Sequence, residues 1–455
     1  MPSHSAPDTH SRCDSALQRT EPPQPLTSPA PPEPRPVDAS YGQTLDKIFS
    51  EYRGTPFAVR LWDGTTCQSS VDSPAFEVVL HTKDAWETLT ASPDEAALGE
   101  QYIHGNIEVR GDLYRALRAL PQIEDSIIST IPSTALWLRG ALVAVTDGLG
   151  RFSKFGTRHS QDRDAAAISY HYDKPSEFYR LWLGPSMVYS CAYFRDWKND
   201  LTTAQNDKMD LICRKLNLKP HERYLDIGCG WGSLLLHAVN HYGVTAQGVS
   251  LSKEQVAYAE DAVCRAEKES SCIAQLKDYR ELRDIAVKFD KVSSVGMCEH
   301  VGQKKIDAYF SDVYGMMIDG GLFLNHGITR SMHARRKRTS FIDRYVFPDG
   351  ELLTISEMAR AAEAAGFEVR DIEDLREHYE ETLHRWVSEL QRCKEQVIAL
   401  TDAQTYWIWE LYMAGSAEAF RRGDIAVHQM LLSKNAGGRS SATKTRQEWY
   451  RGETL

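Results

Sequence analysis

Between positions 57 and 62 the chain reads Phe57-Ala58-Val59-Arg60-Leu61-Trp62. Apolar and polar side chains alternate there as in a strand, and the run meets Asp63-Gly64, a hairpin signal. Val78-Val79-Leu80 reads as a second short strand, while Ala96 to Ile103 and Leu113 to Leu117 read as helices. Together they predict a small α+β domain over 41–132. Residues 133–165 hold one apolar-rich helix (Leu136 to Val145) and then a Gly- and Arg-rich linker. Over 166–435 short apolar runs alternate with helical stretches, which predicts an α/β fold with a mostly parallel sheet and helices on both faces. Strands are expected at 223–227, 244–249, 291–297 and 321–328, a helix near 354–365, and two late strands at 367–369 and 425–433. Trp407, Ile408, Trp409 and Tyr412 share a helical stretch and read as core. The ends differ: eight prolines between Glu21 and Pro36, with almost no apolar residues, make 1–40 a disordered tail. Residues 436–455 read as a polar, frayed tail.

Length and composition narrow the class. A chain of 455 residues exceeds one ordinary core, so two domains are expected. The apolar runs are far too short to span a membrane, and the first residues lack an apolar secretory segment, so a cytoplasmic protein is expected. Nine cysteines without a C-x-x-C pair suggest neither zinc nor a disulfide framework. A net charge of −10 argues against a nucleic-acid partner. Peripheral contact with an anionic membrane would need a local basic patch, and Arg330 to Arg338 (RSMHARRKR) is the candidate. His237 and His241 stand four apart, but Ala238 replaces the glutamate of a zincin, so they read as a solvated helix face and no metal is expected.

The sharpest chemistry lies at Leu225-Asp226-Ile227-Gly228-Cys229-Gly230-Trp231-Gly232. A strand runs into three glycines and then a helix, so the backbone can approach a ligand at the strand's C-terminal end. The third glycine comes one residue early for a dinucleotide site. The D-x-G-x-G-x-G form is similar to motif I of class I S-adenosylmethionine-dependent methyltransferases. Such enzymes place an acid at the end of the second strand; this chain has Gly248-Val249-Ser250-Leu251-Ser252-Lys253-Glu254-Gln255 instead.

Several further stretches, in order over about 50–435, resemble the cyclopropane fatty acid synthase family, which includes the mycolic acid cyclopropane synthases. They are Val59 to Gly64, Ala97 to Gly105, Tyr189 to Phe194, the glycine loop, Gly248 to Gln255, Glu299 to Gly302, Tyr345 to Gly350 and His378 to Leu383. The resemblance implies a Rossmann-like methyltransferase domain and S-adenosylmethionine as cofactor. It implies unsaturated acyl chains of membrane phospholipids as substrate, on a peripherally membrane-associated protein; a homodimer is compatible with it. It implies methyl transfer to a cis double bond, a carbocation, loss of a proton to a bound bicarbonate, and ring closure. The bicarbonate site and catalytic residues would fall on Cys191, Glu299, His326, Ile328 and Tyr379, with Cys191 and Ile328 contributing mainly backbone N–H groups. Cofactor contacts would fall on Tyr189, Ser190, Asp226, Gly228, Gly230, Gly232, Ser250, Gln255, Asp278 and Tyr279.

The residue types agree with that chemistry. An alkene needs no activating base, so the enzyme must position the methyl and stabilise a cation. A tyrosine face can do the latter, and a Glu–His pair can orient an anion and pass on its proton. Glu299 and His326 each fall near the C-terminal end of an expected strand, the edge that carries the glycine loop. Two departures from the family pattern stand out: Tyr172-Asp173-Lys174-Pro175-Ser176 before the active-site helix, and Ser416 where several members have cysteine. The product (cyclopropane, methylene or methyl branch) stays open, as does a non-catalytic S-adenosylmethionine- or lipid-binding protein on the same fold.

Overall fold

A computed structural model describes residues 39–91, 95–130, 174–283, 286–334, 341–347, 350–435, 437–438 and 440–450. The expected helix and linker at 133–165, most of the proline-rich tail, and Arg335 to Arg338 lie outside these residues.

The first domain begins with helix α1 (Ala39–Glu51), which overlaps the end of the expected tail. Strands β1 (Ala58–Arg60) and β2 (Thr66–Gln68) form the hairpin, followed by β3 (Phe76–Leu80), α2 (Lys83–Ala91), α3 (Glu95–Ile103), β4 (Ile107–Gly111) and α4 (Leu113–Thr130). The hairpin turn works because Gly64 takes φ +92° and the Asp63 carboxylate accepts the Thr65 N–H at 2.9 Å. The sheet order is β2-β1-β3-β4. Leu45, Ile48 and Phe49 of α1, Tyr52 just after it, and Ala116, Ala119, Ile123 and Ile127 of α4 recur at helical spacing and bury against Phe57, Val59 and Phe76.

The second domain contains α5 (Ser176–Leu183), α6 (Leu201–Lys215), β5 (Arg223–Ile227), α7 (Ser233–Tyr242), β6 (Thr245–Ser250), α8 (Lys253–Arg265), β7 (Cys272–Leu276), β8 (Phe289–Val295), α9 (Ile306–Met316), β9 (Met317–Arg330), α10 (Phe341–Tyr345), α11 (Ile355–Ala364), β10 (Glu368–Asp374), α12 (Arg376–Arg392), α13 (Lys394–Leu400), α14 (Ala403–Arg422), β11 (Ile425–Ser433) and α15 (Gln447–Tyr450). The seven strands run β10-β11-β9-β8-β5-β6-β7. From β9 to β7 all neighbours are parallel, and β11 is inserted antiparallel between β10 and β9. This is the α/β methyltransferase fold, preceded by the small α+β domain. No described helix is long and apolar enough to cross a membrane.

The two domains meet through buried polar contacts. The Tyr102 hydroxyl donates to Glu410 Oε2 at 2.6 Å, and Arg118 pairs with the buried Glu418 at 2.7 Å. The C-terminal stretch departs from the expected frayed tail. Trp449 on α15 is 4% exposed, and the Lys215 ammonium sits 5.7 Å from its ring centroid. Arg446 pairs with Asp371, and the Tyr450 hydroxyl donates to Glu373 at 2.8 Å. One large aromatic anchor in a polar stretch suffices to dock it.

Candidate active site

The glycine loop follows β5 directly. Its backbone is left-handed at Gly228 (φ +82°) and Gly230 (φ +55°), which turns the chain from strand to α7. A Cβ on Gly230 would meet nothing within 4 Å, so the space above it is open for a ligand. A cavity opens there, at the C-terminal ends of β5, β6 and β8. Of the sequence-predicted cofactor residues, Tyr189, Ser190, Asp226, Gly228, Gly230, Ser250, Gln255, Asp278 and Tyr279 line it. Gly232 does not. It caps α7 in a left-handed turn (φ +85°), and a Cβ there would come within 2.9 Å of Ala259 on α8. Its role is close helix packing.

Local chemistry explains the lining. Where the β6 end lacks an acid, the Ser250 hydroxyl donates to Gln255 Oε1 at 2.9 Å, and both side chains are buried. Asp278 is held by Arg280, which donates to both of its oxygens at 2.8 and 2.6 Å. Burial pushes the Asp226 carboxyl up to about 6, against the opposing effects of the Ser293 hydroxyl and the Lys208 charge. The Lys174-Pro175-Ser176 departure leads into α5, where the Trp231 indole N–H donates to Ser176 Oγ at 3.2 Å. That contact ties α5 to the glycine loop.

The five residues of the expected anion site come from four separate stretches of chain. Glu299, in a short turn after β8, lies between the cavity-lining residues Met297, His300 and Val301. Its Oε1 accepts the Ile328 N–H at 2.7 Å. The N–H that the resemblance leaves for a bound anion is therefore engaged, because a buried carboxyl takes the nearest donor. Burial pushes the Glu299 carboxyl up, and the Ile328 N–H opposes this. His326 stands two residues before Ile328 on β9, hence on the same sheet face. It is 1% exposed; Gln429 Nε2 lies 3.2 Å from Nδ1, and Nε2 has no hydrogen-bond partner among the described residues. Burial, then the Lys208 and Lys215 charges, pull the imidazole well below its ordinary range. Cys191 Sγ lies 3.8 Å from Leu375 O, the carbonyl that accepts the Tyr379 backbone N–H in the first turn of α12, and none of the five residues lines the glycine-loop cavity. Burial pushes the Cys191 thiol up, so it is a poor nucleophile.

Aromatic rings surround this end. Tyr189, Trp182, Trp386 and Trp409 pack together, with Tyr189 to Trp386 at 5.2 Å. Tyr379 stacks obliquely on Phe420 at 4.7 Å. Trp409 is core, as expected. Trp407, Ile408 and Tyr412 are half-buried instead: the Tyr412 hydroxyl lies 3.5 Å from that of Tyr189, and its ring meets Phe347. His237 departs from the solvated reading, with its ring partly buried and 3.9 Å from Asp210. Among the described residues no cluster of His, Cys, Asp and Glu is arranged to hold a metal.

Residues 159–430 match the family described as mycolic acid cyclopropane synthetase. The chain belongs to that family. Residues 44–131 match a domain of unknown function. A "Probable fatty acid methyltransferase" of Pseudomonas putida is 38% identical over 401 residues, covering 87% of this chain and 96% of its own length. Cyclopropane mycolic acid synthase 1 of Mycobacterium tuberculosis is 36% identical over 281 residues, covering 59% of this chain and 97% of its own. Among solved structures, mycolic acid cyclopropane synthase CmaA1 complexed with SAH and CTAB aligns with TM-score 0.56 at 35% identity, over 59% of this chain and 98% of that one. The cyclopropane synthase MmaA2 from Mycobacterium tuberculosis gives 0.57 at 30%, again over 59% and 98%. As a member of the cyclopropane synthetase family, this chain is an S-adenosylmethionine-dependent methyltransferase.

Sequence reasoning missed Lys208, Met297, His300 and Lys305, which also line the cavity. His300 lies inside a quoted motif and could have been found. Lys208 carried a weaker signal: it falls on the α6 face shared by Ala204, Leu211 and Ile212, all buried.

Proposed function

We propose that the chain methylates the cis double bond of an unsaturated phospholipid acyl chain and closes a cyclopropane ring, with bicarbonate accepting the proton. The observation that carries this is the buried Glu299, which lies next to the cavity-lining His300 and accepts the Ile328 N–H two residues along β9 from the buried His326. The fatty acid methyltransferase and cyclopropane synthase names of its relatives support a lipid substrate.

S-adenosylmethionine supplies an electrophilic methyl group, and bicarbonate would supply a base able to accept the proton. The residues fit such an anion through the orphaned His326 Nε2, a buried polar atom that requires a partner. Glu299, held by the Ile328 amide, would orient the anion from the other side. The Tyr379 and Tyr189 rings offer electron-rich faces to positive charge developing on the acyl chain. The aromatic wall of Trp182, Trp386 and Trp409 keeps water away, which prevents capture of the cation as an alcohol. Peripheral attachment through the 330–338 basic run belongs to the same proposal.

One observation favours a second product. Because the Ile328 N–H is engaged by Glu299, the anion cradle is one donor short, and proton loss elsewhere on the cation would leave a methylene branch. Lipids from a host expressing the chain decide between these products. Mass spectrometry should find acyl chains heavier by one CH2, and proton NMR should show the upfield ring signals of a cyclopropane. Heavier chains without ring signals would select the branched product, and unaltered lipids would overturn the proposal.

A further inference from the structure

Lys208 is 1% exposed, yet no described carboxylate lies within the 4.0 Å of an ion pair. Among the described residues its one hydrogen bond goes to a hydroxyl: Nζ donates to Ser190 Oγ at 2.8 Å. A buried ammonium without a counter-ion is costly, and a neutral hydroxyl returns little of the lost hydration. Burial draws this group down to about 8, while the Asp226 carboxylate opposes that. Asp226 sits in the same position with the opposite sign: 2% exposed, lining the same cavity, and hydrogen-bonded to the neutral Ser293 hydroxyl. Of the buried charged residues lining the cavity, Asp278 is paired with Arg280, whereas Lys208 and Asp226 are near enough to feel each other and not paired.

The cofactor has a matching end. The amino-acid portion of S-adenosylmethionine carries an ammonium and a carboxylate on one carbon. We propose that Lys208 is the residue that binds the cofactor's α-carboxylate, with Ser190 holding the lysine in place and Asp226 facing the cofactor's ammonium. The neighbouring geometry supports this. Gln205, one turn before Lys208 on α6, donates from Nε2 to Ser190 O at 2.9 Å, so one helix face fixes both the lysine and the 188–191 segment. The inference rests on S-adenosylmethionine as cofactor and is independent of the lipid product.

Two oxyanions could engage Lys208, the cofactor carboxylate or bicarbonate, and the experiment separates them. Calorimetry measures the affinity of the whole protein for S-adenosylhomocysteine and for its decarboxylated analogue, 5′-S-(3-aminopropyl)-5′-thioadenosine. The wild type should prefer the carboxylate form by about 10–100-fold, the range for a hydrogen bond to a charged group. Lys208→Met should lose that preference while binding the decarboxylated analogue within about threefold of wild type, since only the carboxylate contact is removed. Added bicarbonate should alter neither ratio. Equal binding of the two ligands by the wild type overturns the assignment without needing a folded variant. So does a Lys208→Met protein that weakens both ligands equally, which would mark a structural lysine. A variant that keeps the preference but loses its response to bicarbonate would move Lys208 to the anion site and also overturn it. A wild type that binds neither ligand would instead defeat the cofactor assignment.

Discussion

The two ends of the active site are built differently. The cofactor end centres on one loop, Asp226 to Trp231, whose left-handed glycines open a cavity at a sheet edge that Ser250, Gln255 and Asp278 help to line. The proposed acyl end would draw on Cys191, Glu299, the β9 pair His326 and Ile328, and Tyr379, next to the packed rings of Trp182, Trp386 and Trp409. Binding a large polar cofactor needs backbone approach and solvent access. Steering a carbocation needs groups held at fixed distances with water excluded, which requires contributions from several packed elements. The cofactor end should therefore fail through affinity and the acyl end through turnover.

The most severe test of this contrast is Gly230→Val. Its side chain would occupy the open space above a left-handed residue. Calorimetry should detect no S-adenosylmethionine binding, while circular dichroism remains that of a folded protein. Unchanged affinity would remove the glycine loop from the cofactor site.

Glu299→Gln addresses the other end. It keeps size and removes the charge, so turnover should fall by roughly 10²-fold or more while cofactor affinity stays near wild type. Omitting bicarbonate should slow the wild type and affect the mutant less, because both changes act on one unit. Full activity would exclude Glu299, and a mutant as dependent on bicarbonate as wild type would mean that the anion binds elsewhere.

Gly232→Ala sharpens the comparison within a single loop. Its Cβ would press on Ala259 at 2.9 Å rather than enter the cavity. Stability should fall by about 1–3 kcal/mol, the usual range for overpacking, with affinity nearly retained. Denaturant unfolding and titration of the same sample check both halves.

The smallest effect is acid sensitivity. Burial holds His378 below its ordinary value of 6.5, and its Nδ1 accepts the Phe194 N–H at 3.0 Å. The folded state resists taking up this proton and the unfolded state does not, so stability falls as pH drops below about 6.5. Asp226 works in the opposite sense. Its carboxyl is raised from 3.8 to about 6, so protonating it in that window favours the folded state. Unfolding midpoints at pH 7.5 and 5.5 should therefore converge in His378→Phe and diverge in Asp226→Asn. An unchanged pH response in both variants would dissociate these groups from acid sensitivity.

Legibility in the sequence followed the range of the interactions. The β5 strand, the glycine turn and the 425–433 strand were readable because each is decided by residues a few positions apart. α1 was hidden by the proline-rich stretch before it, and its apolar spacing gains meaning only with α4 packed opposite. The tail after Ser433 read as frayed because one tryptophan and one arginine carry its attachment, and their partners Lys215 and Asp371 lie far away in sequence. Nor could the glycine motif separate Gly230 from Gly232, since the difference is what each faces: open cavity or the α8 helix.

By itself, the sequence determined the alternation of strands and helices, the glycine-rich turn and the residue types available for lipid methylation. Those depend on local periodicity and on the backbone freedom of single residues. Tertiary structure alone decided that the Ile328 amide binds Glu299, that Tyr412 reaches Tyr189, and that Lys208 is buried unpaired beside Asp226. The reason is physical: a buried polar group takes its partner from whatever the fold brings within about 3 Å, and here those partners lie tens to hundreds of residues apart.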